Sequence, residues 1–409
     1  MSTRARRYRF GMPGAALLAI VLCAGDRAVA QDQPTTVSTD AAPSHLGGWL
    51  FTPTLVYSGG WDDNVLLHDR GDSTTGDFLT VINPRGVLDY NGRHLQFSGN
   101  YNGAFLLYRS LHALNSYDQN AGLALQDQVS KHLAVFVTDT AAIIPTTASV
   151  EFYGVPFLRT GSRINETRGG LQLGFTKATS MSAAYTADWV GFDNNATFGN
   201  QYLRGGHSQG GTATIRHQLT SRLALTGDYN ILHGTITGGI NGFDVQNSEA
   251  GVEYRLSETT QVSASAGVAR LGVNSFGPAR TGPAWRAALT RQLHKAGLDL
   301  TYGRSFVPSY GFGGTTQNEE ATVRIRLPLG RRVMTQSSVA WRRNEPLTTG
   351  DLKLVSWWFD SAIGYSLTPW LRVEGFYNGV NQTIDRPGGT LDRNHIGFQF
   401  VLSQPVRIQ

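Results

Sequence analysis

The chain has 409 residues and a formal net charge of +5, but residues 1–30, with five Arg and one Asp, carry +4 of that charge. The remaining body is nearly neutral, which argues against a nucleic-acid partner. Only 16% of residues are charged, against about 25% in soluble domains, and the mean hydropathy is slightly negative. This combination excludes a highly charged soluble protein and a helical membrane protein, and it is typical of a transmembrane β-barrel.

Residues 1–30 are typical of a cleaved secretory signal peptide. Four arginines between positions 4 and 9 precede an apolar stretch from Ala15 to Ala24, and Ala28-Val29-Ala30 matches a small-residue cleavage site. The apolar stretch is too short to span a bilayer. Cleavage would remove Cys23, the one cysteine of the chain, so we expect a mature protein without disulfides or cysteine metal sites.

Residues 31–48 are rich in Pro, Thr, Ser and Ala and are predicted to form a short periplasmic linker. From Trp49 onward, apolar or small residues alternate with polar ones, as they do between Phe97 and Leu107. Alternation with a period of two residues indicates strands that have two different faces. Residues 49–409 are therefore predicted to form one transmembrane β-barrel domain.

Turn signals divide this region into 18 predicted strands. Short polar turns are predicted near Asn91, Ser130, Ala178, Thr220, Ser257, His294, Gly330 and Thr368. Longer connections are predicted at residues 62–76, 109–115, 145–164, 193–205, 236–242, 274–280, 309–315, 344–352 and 383–391. The strict alternation of short turns with longer loops, and the even strand number, predict an all-β, antiparallel barrel of the bacterial outer membrane. A sandwich is disfavoured because so many small residues would not fill its core, and a propeller because no blade motif repeats.

The predicted outer face carries aromatic residues near the strand ends, where rings favour the membrane interface. These are Tyr101, Phe105, Tyr185, Trp189, Tyr254, Trp285, Tyr302, Trp341, Trp357, Tyr365 and Tyr377. Toward the lumen, only Phe136, Trp358 and Phe376 are candidates for an aromatic sugar path. We expect little charge toward lipid and mixed charge toward the lumen.

Arginines on the predicted lumen face are the candidate solute-binding residues, namely Arg286, Arg324, Arg326, Arg342 and Arg372. Arg216 and Arg255 also have lumen parity, but these five concentrate on predicted strands 12 to 17, on one side of the barrel. A guanidinium is a planar set of donors suited to carboxylates and phosphates, so this row favours anionic solutes or acidic sugars. The alternative is that these arginines pair with lumen acids such as Asp299, Asp360 and Glu374 and only solvate the wall.

Other polar groups give weaker signals. Aspartates around the first long loop, which could bind Ca²⁺ or simply be solvated, are Asp62, Asp63, Asp69, Asp72 and Asp77. Their spacing lacks the pattern of an EF-hand. The ten His are scattered, and no H-E-x-x-H, G-x-S-x-G or P-loop motif occurs. We therefore expect no catalytic residues, no metal site and no cofactor.

The last strand carries a candidate assembly signal. His395-x-Gly397-x-x-Phe400-x-Leu402 fits the pattern polar-x-Gly-x-x-hydrophobic-x-hydrophobic and resembles the signal read by the barrel assembly machinery. The usual terminal Phe is missing, because the chain continues through Ser403 to Gln409. Either Phe400 or Leu402 is the recognised end.

The first predicted strand resembles a known group of barrels. Pro53-x-Leu55-x-Tyr57, followed by Trp61-Asp62-Asp63-Asn64-Val65, is similar to the aromatic-Asp-Asn-Val start of the β-barrel porin 2 group, which is associated with exopolysaccharide gene clusters. The resemblance implies a route for polysaccharide across the outer membrane. It implies no catalytic residues, and periplasmic secretion proteins would be partners.

Together these features predict a passive outer-membrane pore for exopolysaccharide export, or for diffusion of sugars and anionic solutes through an Arg-bearing lumen. The alternatives are a general or solute-specific uptake porin and a non-conducting structural or adhesion barrel. Expected partners are outer-membrane lipid, the barrel assembly machinery and the solute. The longest connection, 145–164, with Pro145 and Pro156, either folds inward as a constriction or forms an external loop.

Overall fold

The computed structural model describes residues 48–408 except residue 71 and segments 149–151, 194–196, 199–200, 238–241, 273–277, 294–295, 312–313, 348–351 and 386–388. The predicted signal peptide, residues 1–30, and all but the last residue of the predicted linker lie outside the described residues. Among the described residues, no helix has the length and apolar character needed to cross a membrane.

The described chain forms 18 long strands, numbered here in chain order. The first nine are β1 Trp49–Asp62, β2 Asp77–Asn91, β3 Leu95–Tyr108, β4 Ser116–Ser130, β5 Leu133–Ile144, β6 Ser162–Gly174, β7 Thr179–Phe192, β8 Gly206–Gln218 and β9 Leu223–Ile236. The others are β10 Gly242–Ser257, β11 Thr260–Leu271, β12 Arg280–Leu293, β13 Ala296–Ser309, β14 Gly314–Pro328, β15 Val333–Pro346, β16 Leu354–Ser366, β17 Leu371–Ile384 and β18 Thr390–Ser403.

Each long strand pairs antiparallel with the next, and the first strand pairs with the last, so the barrel is closed. Closure leaves no sheet edge to face lipid, where an unpaired backbone group has no alternative partner. At the seam, Thr54–Asp62 of β1 pairs with His395–Ser403 of β18. The segment Val406–Ile408 continues this pairing along Trp49–Phe51. The tail after Ser403 is therefore part of the seam.

The predicted turns and loops are confirmed wherever the structure describes them. Short turns join β2 to β3 and every second pair after it, and longer connections join the others. The turn at His294 lies outside the described residues, but it falls between the ends of β12 and β13. We call the two ends of the barrel the turn end and the loop end; in outer-membrane barrels they face the periplasm and the exterior.

The strand register confirms the predicted outer face. Trp341 of β15 lies opposite Trp357 of β16, with ring centroids 6.3 Å apart, and Trp61, Trp189 and Trp357 expose about half of their surface. At the turn end, Trp49 contacts Tyr90 at 4.9 Å. Aromatic rings near both ends of an apolar outer wall are the girdles of a membrane barrel. The protein is an outer-membrane β-barrel.

The expectation of little charge toward lipid is wrong near the loop end. Arg304 of β13 lies opposite Glu319 of β14, which lies opposite Arg343 of β15, and all three share the outer face with Trp341. Glu319 also accepts a hydrogen bond from the outward Tyr302 hydroxyl. These charges lie in register with Trp285 and two residues closer to the loop end than Tyr302 and Trp341. A simple inside-outside rule fails there because the outer face meets polar headgroups at the level of the aromatic girdle.

Candidate functional site

The described residues of this connection, 145–148 and 152–161, fold into the lumen, which resolves its two alternatives. Its ends are held together at Thr147, whose N–H donates to Leu158 O at 2.9 Å and whose hydroxyl donates to Pro156 O at 2.6 Å. Phe152, Val155 and Phe157 are buried. Side chains that are apolar and would be exposed in an external loop gain burial inside the barrel. We call this segment the inward loop.

The inward loop is fastened to one wall mainly through its backbone. The Trp358 indole N–H of β16 donates to Ala148 O at 3.3 Å, and the N–H of Phe157 donates to Gln382 Oε1 of β17 at 2.7 Å. The rings of Phe157 and Trp358 pack with centroids 5.4 Å apart. The predicted lumen-facing Trp358 is thus an anchor for the loop.

Arg342 of β15 is central to this contact. Its guanidinium donates to Phe152 O at 3.4 Å, pairs with Glu320 at 3.2 Å, and lies 4.3 Å from the Tyr153 ring centroid. The Arg342 side chain is only 6% exposed. A guanidinium satisfies an aromatic face, a carbonyl and a carboxylate together because its charge is planar and delocalised.

The inward loop also reaches the opposite wall. Arg159 donates to the Tyr108 hydroxyl of β3 at 2.8 Å, and the ring of Phe152 packs 5.5 Å from that of Phe192 at the end of β7. Tyr108 itself is buried in the wall. Contacts with β3 and β7 on one side and β15 to β17 on the other mean that the loop crosses the lumen.

Gly154 allows the close approach of the loop to a third wall position. Its φ is +67°, and a Cβ atom there would lie 2.3 Å from the Ser309 hydroxyl of β13. Any other residue would meet both backbone strain and a clash with Ser309. The glycine therefore fixes the loop against the end of β13.

Two further connections pack beside the inward loop. Val65 and Leu67, from the connection after β1, are buried, and Leu67 clusters with Phe157 and Trp358. After β13, the Tyr310 hydroxyl donates to Ser208 Oγ of β8 at 3.0 Å. Burial raises the pKa of Tyr310 to about 12. The loop end of the lumen is thus narrowed by several connections.

The predicted lumen arginines all face the lumen by register, but their partners differ. Arg372 pairs with Glu374 on the same strand, and Arg286 of β12 lies 3.9 Å from Glu249. Arg324 and Arg326 of β14 make no ion pair or side-chain hydrogen bond with the described residues. The lumen acids therefore neutralise only part of the row.

The lumen face also carries arginines that were not predicted to lie on it. Arg85 of β2, Arg168 of β6 and Arg393 of β18 also face inward by register. Arg393 is buried and pairs with Asp62, Nη2 to Oδ2 at 2.6 Å, across the seam. The alternation of the sequence could have predicted all three positions, because each arginine has the same parity as the lumen-facing residues of its strand.

The acids around the first loop do not form a metal site among the described residues. Asp62 pairs with Arg393, Asp63 accepts the N–H of Asn394 at 2.7 Å, and Asp77 Oδ2 accepts the N–H groups of Ser110 and Leu111. These carboxylates stabilise the seam and the loop after β3.

The candidate assembly residues lie on both faces of β18. His395 and Gly397 are on the lumen parity, whereas Phe400 and Leu402 are on the lipid parity, opposite Tyr57 and Leu55 of β1. Their role in assembly stays a prediction.

Comparisons with known proteins give structural likeness only. No family model matches the chain, and no curated protein matches it. The resemblance to the β-barrel porin 2 group therefore stays a prediction.

Solved structures that are similar to the chain include the following three. OpdK of Pseudomonas aeruginosa, solved with vanillate, is 10% identical, with a TM-score of 0.44 over 87% of this chain and 99% of that one. OccK2 (OpdF) of the same organism is 11% identical, with a TM-score of 0.46 over 88% and 99%. OccAB4 of Acinetobacter baumannii is 9% identical, with a TM-score of 0.46 over 89% and 99%. Similarity at this level says nothing of what this chain transports.

Proposed function

We propose that this barrel is a passive, size-restricted diffusion pore of the outer membrane for small anionic solutes. The observation that supports the proposal best is the inward loop, which crosses the lumen between β3 and β15–β17 and is held there at Ala148, Phe152 and Phe157. In a pore narrowed in this way, a solute that enters from the loop end meets the size restriction first and the charged wall afterwards.

We infer that the arginines between the inward loop and the turn end select anions over cations. Arg324 and Arg326 lie near the end of β14 that meets the short turn, and neither makes a contact ion pair with a described carboxylate. Asp299 of β13 lies opposite Arg324 in the register without such a contact. Arg286 is 67% exposed with a carboxylate only at 3.9 Å. Guanidinium groups that are not held in an ion pair attract carboxylates and phosphates into a wet lumen.

Polysaccharide export, the other function predicted from the sequence, has less support. A polymer needs a continuous wide passage, whereas the inward loop makes side-chain contacts on two walls of the lumen. A gene deletion assayed for both secreted polysaccharide and uptake of small anions separates the two functions. Loss of secretion with normal uptake would favour export.

The direct test is ion selectivity of the purified barrel in planar bilayers. We expect anion preference in the native protein, and a shift of the reversal potential toward cations in R324Q/R326Q. The matched control is R270Q, because Arg270 lies on the exposed outer face at the loop end of β11. Cation preference in the native barrel, or an equal shift in the control, would overturn the assignment. Absence of any conductance would favour the non-conducting barrel.

A further inference from the structure

The ladder between β12 and β13 stops partway toward the loop end. Pairing runs from Leu293 and Ala296 at the turn to Trp285 and Arg304, and the described residues beyond them do not pair across this interface. Each strand nevertheless continues: β12 pairs with β11 up to Arg280, and β13 pairs with β14 up to Ser309. The wall is therefore split between these strands beyond Trp285.

A proline occupies the edge of β12 that faces this split. The N–H of Gln292 donates to Thr259 O on the β11 side at 2.8 Å. Backbone N–H and C=O groups alternate in direction along a strand. Those of even-numbered β12 residues therefore point toward β11, and those of odd-numbered residues point toward β13. Pro283 therefore lacks its N–H on the β13 edge.

A second proline occupies the facing edge of β13. The N–H of Leu347, just after β15, donates to Thr315 O of β14 at 3.0 Å, so odd-numbered residues of β14 face β15. The backbone groups of even-numbered β14 residues therefore point toward β13, where they bond to odd-numbered residues. The backbone groups of even-numbered β13 residues, including Pro308, consequently point toward β12. Extending the register would place Pro283 opposite Phe306 and Thr281 opposite Pro308, each pair short of one hydrogen bond.

A lone proline elsewhere does not split the wall. Pro84 of β2 interrupts the pairing with β3, but the ladder resumes at Ile82 and Phe105. Two prolines on facing edges are thus associated with a split that a single proline does not produce. Unpaired edges are costly and rare in membrane barrels, so retaining this one indicates a use.

Phe306 shares the outward parity of Arg304 on β13, but beyond the split its ring covers the inner side of β12. A Cβ atom at Gly282 would lie 2.8 Å from Phe306 Cζ, so the ring packs directly on the β12 backbone. Phe306 is 3% exposed and clusters with the inward-facing Phe243, Leu271 and Ala284. A buried apolar cluster therefore lies between the lumen and the split, and it would line a passage once the Phe306 ring moved away.

A cation lies at the base of the split on the outer side. The Arg304 guanidinium stacks 4.8 Å from the Trp285 ring centroid and donates to Gln317 Oε1 at 2.6 Å. Its Nε is buried without a partner among the described residues. Trp285 and Tyr302 belong to the outer aromatic girdle, so this donor lies at the level of lipid headgroups.

We propose that the split is a lateral opening, gated by Phe306, through which an anionic amphiphile exchanges between the lumen and the outer leaflet. Its apolar body would pass along the Phe243–Leu271 lining after rotation of the Phe306 ring, and its carboxylate or phosphate would bind at Arg304. The opening is separate from the axial pore, so either can fail without the other.

The test is photolabelling of the full barrel in lipid nanodiscs with a diazirine-bearing dodecanoate, mapped by mass spectrometry. Labelling of the inward-facing Phe243 and Leu271 is expected, and it should rise several-fold in F306A and fall to background in P283T/P308T, in which the edges can pair. The control variant P84T should match the native protein, and a headless diazirine dodecane should label only outward residues such as Val268.

Labels confined to outward residues, and equal in every variant, would overturn the proposal. If F306A does not fold, the comparison of P283T/P308T with P84T still decides it. Planar-bilayer conductance, measured on the same preparations, reports the axial pore independently. Equal labelling of Phe243 by the headless probe would instead exclude Arg304 as the headgroup site and so refute the amphiphile assignment.

Discussion

The N–H of Phe157 in the inward loop donates a 2.7 Å hydrogen bond to Gln382 Oε1 of β17, which is 225 residues away in sequence. The Gln382 side chain also donates to Ser356 Oγ at 3.0 Å, so the wall itself orients the acceptor. This pair fixes where the loop narrows the lumen.

Replacing Gln382 with Ala should loosen the inward loop. The buried N–H of Phe157 would lose its acceptor, a cost of about 1–3 kcal/mol, so the loop should sample open positions. We expect larger and noisier single-channel currents. Q209A is the matched control, because Gln209 lies on the outer face. Unchanged currents in Q382A would mean that this bond does not limit the pore.

Arg342 should tolerate no conservative replacement. Lysine keeps the charge but cannot bind Glu320, stack on Tyr153 and donate to Phe152 O with one planar group. R342K and R342Q should therefore both raise conductance, whereas only R342Q should reduce anion preference. Conductance and reversal potential measured together separate the two effects. A native conductance in R342K would show that charge alone holds the loop.

Breaking the seam ion pair should destabilise the barrel strongly. Asp62 and Arg393 are 0% and 3% exposed, and removing one partner of a buried pair costs about 3–5 kcal/mol. D62N should unfold at clearly lower urea concentration in detergent, read from the heat-modifiable gel shift. D63N is the neighbouring control, since Asp63 binds Asn394 at an exposed position. Equal midpoints for the two variants would refute this role.

The Tyr310 contact should weaken only at very alkaline pH. Burial raises the pKa of Tyr310 to about 12 from 10.0, so the folded state favours the protonated phenol. Its contribution to stability is complete below pH 10 and is lost as the pH rises toward 12. The phenolate difference spectrum between the native protein and Y310F should appear near pH 12. Ionisation near pH 10 would show that Tyr310 is solvated.

Truncation after Ser403 should be tolerated. It removes the pairing of Val406–Ile408 with Trp49–Phe51 but keeps that of His395–Ser403 with Thr54–Asp62. We expect normal insertion with a slightly lower unfolding midpoint, whereas F400A should reduce insertion if Phe400 ends the assembly signal. Loss of insertion on truncation would instead place part of the signal in the tail.

Much of the barrel follows from local pattern. Period-two alternation predicts the strands and the face of each side chain, as for Trp358 and Arg342, because parity fixes direction in any paired strand. The inward loop could not be predicted, since Pro145 and Pro156 are compatible with either side of the rim. Its course depends on contacts with Gln382 and Trp358, which are more than 200 residues away in sequence.

The outward charges at Arg304 and Glu319 were also missed, for a different reason. Parity says which way a side chain points, but not whether lipid or water lies there. That depends on the height of the residue above the aromatic girdle, which requires the register of three neighbouring strands. The split between β12 and β13 likewise needs the direction of backbone groups, which no single strand encodes.

Three wall contacts of the inward loop go to its main chain, at Ala148 O, Phe152 O and Phe157 N–H. Main-chain groups are common to every amino acid except the N–H of proline. These three anchors would therefore accept other side chains at Ala148 and Phe152, whereas Gly154 must stay glycine to fit against Ser309. Substitutions at loop positions whose side chains make no wall contact could thus change which molecules pass, while the main-chain bonds keep the loop in place.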